Sequence, residues 1–268
     1  MRGQSIRGSR TIEARAGRSV RSRVKCSASI AALAFYAWAC ASAPSFPYAH
    51  GTDSEGNPAP QHFLVLPLNL TVHVPNGLEG APDDIFSAVA GYLRDRGNSI
   101  ETISPKAARE RWRSSIAEVE ASDTGKHDFE AAVRAFVERA RKSRSFDAVI
   151  MPALVFRETK IRKRRVKWDG IVRKYEIVNL SEEAKKKKLT NDVSPVFSGV
   201  SLHVMVFGDD GDSIFQGYGG LDLAHDVDMY NVERTMRAKL ALKSELLKNG
   251  KNLREGIAHA FDPYLPRE

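Results

Sequence analysis

The sequence predicts an α/β fold: one compact domain with a mixed sheet, an antiparallel second half and helices packed on the sheet. Three observations lead to this class. Short apolar strands alternate with helical spacing in the first half of the chain, residues 147–156 form a near-continuous apolar run, and a composition typical of a tight turn follows at residues 208–212.

The first half begins with a short apolar stretch, HFLVL at residues 62–66, which predicts a strand ending at Pro67. Residues 69–74 (NLTVHV) continue this strand or form a second piece. A helix follows, because apolar residues recur at helical spacing from Ile85. Asp83 or Asp84 is suited to cap its start, and glycine at position 97 is suited to close it.

Two further helices follow a short strand at residues 99–104. Ser104 followed by proline is a typical N-cap and first-turn pair, so a helix is predicted to begin there. Apolar spacing predicts the next helix from about Asp128 to Lys142. The expected order of the first half is therefore strand, helix, strand, helix, helix.

The second half reads mainly as strands. The run at 147–156 is expected to be covered on both faces, with an edge or a bulge at Pro152, because proline lacks a ladder donor. Further strands are predicted at 166–178, 199–207 and 213–223, the last two joined by the turn at 208–212. Helical spacing then recurs on these residues: Val232, Met236, Leu240 and Leu247, and, in a final helix, Leu253, Ile257 and Phe261.

Charge is concentrated at the amino terminus. The net charge is +8, but residues 1–39 carry eight basic residues against one acid, and the remainder carries 33 basic and 32 acidic residues. Global charge therefore gives the domain no preference for nucleic acid, and no nucleic-acid partner is expected.

Residues 1–39 read as a signal peptide, with a basic stretch to Lys25 and an apolar run at residues 27–39. A run of thirteen residues is too short for a membrane-spanning helix, which needs roughly 20. The predicted cleavage lies at 39/40 or 41/42, followed by a flexible tether at 40–61 and the α/β domain at 62–268. A mitochondrial presequence would leave the apolar run unexplained. The expected location is extracytoplasmic, in the periplasm or at the outer membrane of a bacterium.

Cys40 is a candidate for lipid attachment, as in bacterial lipoproteins, although Ala37 and Trp38 depart from the usual pattern before the modified cysteine. Ordinary secretion remains the alternative. Cys26 and Cys40 are the two cysteines of the chain, so cleavage leaves no intramolecular disulfide to stabilise the domain.

The order of elements, from the proline-ended strand through FDAVIMPALVF to the hairpin VMVFGDDGDSIFQG and the closing helices, resembles a group of bacterial envelope domains. That group includes the curli secretion lipoprotein, the lipoprotein activators of peptidoglycan synthases and the amino-terminal domain of the Tol-system propeller protein. The WDG element at 168–170 is also similar to one found in secreted proteins. The resemblance covers roughly residues 62–265. It implies a non-catalytic accessory role at the envelope, with no catalytic residues to transfer.

Residues 157–174 form the sharpest charge feature, with nine basic residues against two acids. Its centre is predicted to lie at an exposed hairpin tip, either as a solvated hairpin or as a site for phosphates of an anionic envelope lipid or glycan. Trp168 is expected to anchor at a membrane interface or stack on a ring. The candidate residues for an anionic partner are Arg162, Lys163, Arg164, Arg165, Lys167 and Trp168. A second basic cluster occupies residues 185–188.

Metal and catalytic sites have little support. The acidic turn at 208–212 lacks the twelfth-position carboxylate of a calcium loop, since that position is Gly220. The weak metal candidates are Asp222, His225, Asp226 and Asp228, whose spacing fits no standard site. No cofactor is expected. The sequence favours a non-catalytic protein that binds another envelope component through a sheet edge or the basic hairpin. The alternative is a periplasmic enzyme or small-ligand binder that uses residues 222–228.

Overall fold

The computed structural model describes residues 48–49, 52–53, 59–122, 128–162, 165–178, 197–228, 239–262 and 264–265. All of them belong to a unit that spans Ser45–Glu268. The predicted signal peptide, Cys40 and the basic cluster at 185–188 lie outside the described residues.

The elements are, in chain order, β1 (Tyr48–Ala49), β2 (Thr52–Asp53), β3 (His62–Val65), α1 (Pro82–Asp95), β4 (Ser99–Thr102), α2 (Pro105–Ala121), α3 (Phe129–Arg141), β5 (Ala148–Glu158), β6 (Lys160–Arg162), β7 (Arg165–Trp168), β8 (Ile171–Lys174), β9 (Ile177–Val178), β10 (Ser198–Gly208), β11 (Ser213–Leu223), β12 (His225–Asp228), β13 (Lys239–Leu242) and α4 (Gly250–Phe261).

A mixed five-stranded sheet forms the centre of the domain, in the order β11-β10-β5-β3-β4. Strand β3 pairs in parallel with β4 and β5, whereas β10 pairs antiparallel with β5 and β11. The prediction of a mixed α/β sheet with an antiparallel second half is confirmed. Two three-stranded sheets, β6-β7-β8 and β13-β12-β9, accompany it, and β1 pairs with β2 inside the stretch predicted to be a tether.

The two faces of the central sheet bury different helices, because successive side chains of a strand point to opposite faces. On β3, Phe63 and Val65 belong to the core that contains residues of α1 and α4. Leu64 and Leu66 belong to the core formed with α2 and α3. The fold therefore has three layers, with one helix pair on each side of the sheet.

Local signals in the sequence fix most helix ends. Ser104 Oγ accepts a 3.4 Å hydrogen bond from the backbone N–H of Ala107, and Asp128 Oδ1 accepts one of 3.1 Å from Ala131. Helix α1 ends before Gly97, whose φ of 78° lies in the left-handed region that glycine adopts without strain. All three boundaries are as predicted.

The start of α1 differs from the prediction. Its N-cap is Ala81, Pro82 occupies the first turn, and no side chain caps the helix. Asp83 and Asp84 lie inside the first turn, where their negative charges interact favourably with the positive end of the helix dipole.

Residues 69–74 form a turn, bends and irregular backbone rather than the predicted strand. The φ of Asn69 is 55°, which turns the chain away from the sheet. The Asn69 side chain then bonds the backbone of β5 as a neighbouring strand would. Its Oδ1 accepts from Leu154 N–H at 2.9 Å, and its Nδ2 donates to Leu154 O at 3.0 Å.

At Pro152, the side of β5 that faces β3 is no longer paired with a strand and forms a sheet edge. An edge was one of the two predicted alternatives for this proline. Its carbonyl accepts from Asn69 N–H, on the side away from β10, so its missing N–H faces the same side. The pairing of β5 with β10 runs through Pro152 without a bulge. The proline therefore removes no bond from the β5–β10 ladder.

The helix predicted through Leu240 and Leu247 is wrong in its second half. Lys239–Leu242 form β13, which pairs antiparallel with β12, and turns follow it. Apolar residues at helical spacing were the signal, but tertiary pairing with β12 decided the structure of this stretch. Val232 and Met236 lie outside the described residues.

Candidate functional site

The basic stretch forms a three-stranded antiparallel sheet of β6, β7 and β8, here called the basic sheet. Arg162 stands opposite Arg165 in the backbone register of β6 and β7. Lys163 and Arg164, between these two positions, lie outside the described residues, and only the backbone of Arg162 is described.

The basic sheet divides its side chains between two faces. Val166, Trp168 and Ile171 are buried and form a small core cluster with Tyr175, Phe197 and Leu223. The alternate residues Arg165, Lys167 and Lys174 are exposed. They share the outer face with Val172, which is 48% exposed. Period-two alternation therefore places three cations around one apolar side chain.

Trp168 is not available at the surface, which corrects the expectation of a membrane anchor or stacking residue. Its side chain is 5% exposed and packs on the inner face of the basic sheet. A side-chain carbon on Gly199 or Gly220 would overlap the indole, so these glycines leave the room that the ring occupies.

The WDG element is a two-residue hairpin turn. Trp168 and Ile171 are directly paired, and the intervening Asp169 and Gly170 have φ values of 33° and 82°. Two consecutive positive φ angles define a type I′ turn, for which Asp-Gly is a preferred pair. This turn divides the stretch predicted as one strand at 166–178 into β7 and β8.

Asp169 fastens this turn to the central sheet. Its Oδ2 accepts a 2.7 Å hydrogen bond from Ser201 Oγ and lies 3.2 Å from Nε of Arg157. Its backbone carbonyl accepts from Gly220 N–H at 3.0 Å. A second contact, an ion pair of 2.9 Å between Arg173 and Glu255, joins the basic sheet to helix α4. Its outer cations are therefore presented on a fixed support.

A planar cluster lies beside this turn and was not recognised in the sequence. The rings of His203 and Tyr218 stack in parallel with centroids 4.2 Å apart, and the Arg157 guanidinium lies 4.6 Å from the Tyr218 centroid. Burial, reinforced by the positive charge of Arg157, lowers the pKa of His203 to about 4. His203 is therefore neutral at physiological pH. The cross-strand pairing of β10 with β11 creates the cluster, and no local signal indicated it.

The glycines of the GYGG segment allow a close approach of α4 to β11. A side-chain carbon on Gly219 would overlap the carbonyl oxygen of Gly256, and one on Gly217 would overlap that of Ala260. A register shift of β11 against β10 lies between Gly220 and Asp222. Both facts give these glycines a packing role.

Asp222, the first of the weak metal candidates, has both carboxylate oxygens engaged. Oδ1 accepts from its neighbour's backbone N–H at 2.8 Å and lies 3.3 Å from Nζ of Lys243, while Oδ2 accepts from Leu247 N–H at 3.1 Å. The Lys243 ammonium lies 3.9 Å from Asp226 Oδ1. A lysine thus provides positive charge between the two carboxylates.

The other metal candidates do not complete a ligand set within the described residues. Burial raises the pKa of the Asp226 carboxyl, an effect that the nearby Lys243 opposes. His225 Nδ1 is buried without a hydrogen-bond partner in the part of the chain that the structure describes. Only the backbone of Asp228 is described. No group of three or more His, Cys, Asp or Glu side chains in the described ranges is arranged to hold a metal ion.

The acidic turn at 208–212 pairs with helix α3. Asp212 Oδ1 lies 2.9 Å from Nε of Arg134, and Asp209 Oδ2 lies 3.0 Å from Nη1 of Arg141. These carboxylates therefore contact two separate cations of the helix layer. Within the described ranges, no helix is long and apolar enough to cross a membrane.

Comparisons with known proteins give a weak likeness. No protein-family model matches the sequence, and no curated protein matches it. Among solved structures, the chain is similar to a dodecameric variant of PelC from Paraburkholderia phytofirmans, with 13% sequence identity and a TM-score of 0.36. The similarity covers 84% of this chain and 96% of that one. At this TM-score the likeness carries no argument about function.

Proposed function

We propose that this protein is an exported, non-catalytic accessory protein of the bacterial cell envelope that binds an anionic envelope component through the outer face of the basic sheet. The observation that carries the proposal is the segregation of the basic sheet into two faces. Arg165, Lys167 and Lys174 are exposed on one side, and the buried residues on the other side fix the sheet to the domain.

Cations fixed in this way suit a phosphate-rich surface. A cationic side chain near an anionic membrane surface contributes about 1 kcal/mol of attraction, which salt screens. Val172 is exposed among these cations. Its apolar side chain suits the acyl-chain region that lies beneath the charged head groups of a lipid surface. The class of partner supported best is therefore an anionic lipid or glycolipid of the envelope.

Export is supported by the leader. The basic stretch followed by an apolar run of thirteen residues has the organisation of a signal peptide, and Cys40 follows at a predicted cleavage position. A lipid on Cys40 would tether the domain beside the surface that the basic sheet is proposed to bind. The proposed location is the periplasm or the outer membrane.

The alternative function, catalysis or small-ligand binding at residues 222–228, receives less support. The Asp222 oxygens contact two backbone N–H groups and a lysine, which is the pattern of a residue that joins the end of β11 to the turn after β13. Both carboxylate oxygens of Asp222 point at protein groups rather than at a ligand position. A structural role explains every contact of Asp222.

Vesicle binding tests the proposal. The mature protein, carrying Cys40→Ser to remove any acyl chain, is mixed with phosphatidylethanolamine vesicles that contain increasing fractions of phosphatidylglycerol. Binding is expected to rise with the anionic fraction and to fall with added salt. The double variant Arg165→Glu, Lys167→Glu is expected to bind at least about tenfold more weakly, because each reversal replaces attraction with repulsion.

The matched control is Lys106→Glu with Arg109→Glu, which makes the same charge change on exposed positions of α2. Equal weakening by both double variants would mean that net charge alone matters, and the basic sheet would lose its role. Export is tested separately by the mass of the mature protein from cells. A soluble, uncut chain in the cytoplasm would overturn the envelope location.

A further inference from the structure

An apolar groove opens between helices α2 and α3 and the loop after β3. Its volume is about 270 Å³. Helix α2 supplies Trp112 and Ile116, helix α3 supplies Phe129, and the loop supplies Val72. The full lining, here called the apolar groove, consists of Thr71, Val72, Trp112, Ile116, Val119, Glu120, Asp128, Phe129 and Ala132.

The walls of the apolar groove expose apolar surface that folding leaves in water. Val72 is 48% exposed and Phe129 is 40% exposed, and both belong to the five most exposed large apolar side chains of the described residues. The floor is aromatic, because Trp112 lies with its ring centroid 5.8 Å from that of Phe129 and 6.1 Å from that of Phe136. Exposed apolar residues that converge on one concavity indicate a binding surface.

Charge at the rim restricts the occupant. The charged residues of the lining are Glu120 and Asp128, and both are exposed acids. Fatty acids and anionic lipids carry a negative head group, which these carboxylates would repel. A partner with a cation beside its apolar group would instead be attracted.

Size restricts the occupant further. A cavity of 270 Å³ is smaller than the roughly 300–1,000 Å³ typical of sites for drug-sized ligands. It suits one or two large side chains, which is how apolar anchors of a peptide dock in a groove between helices.

We infer that the apolar groove binds a segment of a partner polypeptide that carries a large apolar side chain next to lysine or arginine. This site lies on α2 and α3 and has the opposite charge from the basic sheet, so it requires a different partner from the anionic component proposed above. It stands or falls independently of that proposed function.

Peptide titration tests the inference. The probe is a short amidated peptide with Leu-Phe flanked on each side by two lysines. It is added to the mature protein while the indole N–H signal of Trp112 is followed by NMR. A saturable shift of this signal is expected. A second peptide, with glutamates in place of the lysines, is expected to bind at least about threefold more weakly, because the rim is acidic.

Two pairs of matched variants locate the site. Phe129→Ser is expected to abolish saturable binding, whereas Phe156→Ser, which changes a similarly exposed phenylalanine on β5, is expected to leave it unchanged. Asp128→Asn keeps the capping oxygen of α3 and removes its charge. Combined with Glu120→Gln, this substitution should weaken binding of the lysine peptide at least about threefold. Glu110→Gln, on the same helix α2 as Glu120, should leave binding of the lysine peptide unchanged.

Several outcomes would overturn the inference. These are the absence of any saturable shift, equal binding of the lysine and glutamate peptides, and stronger binding of laurate than of the lysine peptide. A concentration-dependent dimer that Phe129→Ser abolishes would also overturn it, because the occupant would then be a second copy of this chain. Circular dichroism of each variant confirms folding before the titration.

Discussion

Ser201 on β10 donates a 2.7 Å hydrogen bond from its hydroxyl to Oδ2 of Asp169, in the turn between β7 and β8. Ser201 is fully buried, and the side chain of Asp169 is 13% exposed. One short bond thus joins the basic sheet to the central sheet, with the Arg157 guanidinium on the same carboxylate oxygen. This contact holds the basic face in place together with the bond from Gly220 N–H to the Asp169 carbonyl and the Arg173–Glu255 ion pair.

Ser201→Ala is therefore expected to lower the free energy of unfolding by about 1–2 kcal/mol, because a carboxylate oxygen with little solvent access loses a donor. Urea denaturation measures the change. Ser114→Ala is the control, since its hydroxyl donates to the Glu110 carbonyl of its own helix on an exposed face. Equal effects of the two substitutions would show that the Ser201–Asp169 contact adds nothing.

Gly219→Ala is expected to destabilise the protein by about 1–3 kcal/mol, because the added methyl group overlaps the Gly256 carbonyl and must push α4 away from β11. Gly91→Ala, in the interior of α1, meets nothing within 4 Å and is expected to stabilise by about 0.5–1 kcal/mol. Thermal unfolding should separate the two variants in opposite directions. A neutral Gly219→Ala would contradict the close packing of α4 on β11.

His203 is expected to titrate at about pH 4, well below an ordinary histidine, because it is partly buried and lies beside Arg157. Between about pH 4 and 6.5 the unfolded chain binds more protons at this position than the folded chain. Stability from the neutral imidazole is therefore full above pH 6.5 and is lost progressively as pH falls toward 4.

The measurement is the free energy of unfolding against pH for the wild type and for His203→Phe, which keeps a ring against Tyr218 without a titrating group. The variant should show a smaller loss of stability between pH 6.5 and 4. Superimposable pH profiles would mean that His203 contributes no such linkage. NMR titration of the imidazole gives its pKa directly.

Lys243→Met is expected to lower the free energy of unfolding at pH 7 by about 1–3 kcal/mol, because Asp222 is 6% exposed and would lose its cationic partner. The pKa of Asp226, already raised by burial, should rise further without the ammonium that opposes the shift. The deficit should therefore shrink as pH falls and the Asp226 carboxyl becomes protonated. Lys248→Met, at an exposed position, is the control. A pH-independent deficit would argue for lost packing instead.

Most boundaries of the fold were present in the sequence because they depend on neighbouring residues. Ser104, Asp128 and the glycine at 97 act on the backbone within one helical turn, so their effects are readable without tertiary information. The apolar run of β5 likewise indicated a strand buried on both faces. The turn at 208–212 indicated the hairpin of β10 and β11, which the pairing of these strands confirms.

The candidate site was less predictable. The sequence located the basic stretch but placed Trp168 among its exposed residues. Strand alternation puts Trp168 on the same face as Val166, and only the packing of that face on the domain shows which side is buried. The His203–Tyr218 stack and the apolar groove combine residues that are distant in the chain, so no spacing rule could assemble them.

By itself, the sequence determined the α/β class, the order of the five elements from β3 to α3 and the strand that crosses the centre of the sheet, since periodicity and capping are local properties. The tertiary structure alone decided which face of the basic sheet meets solvent, that Lys243 lies between Asp222 and Asp226, and that residues 239–242 pair as a strand. Each of these depends on contacts across the chain, where burial and pairing outweigh local preference.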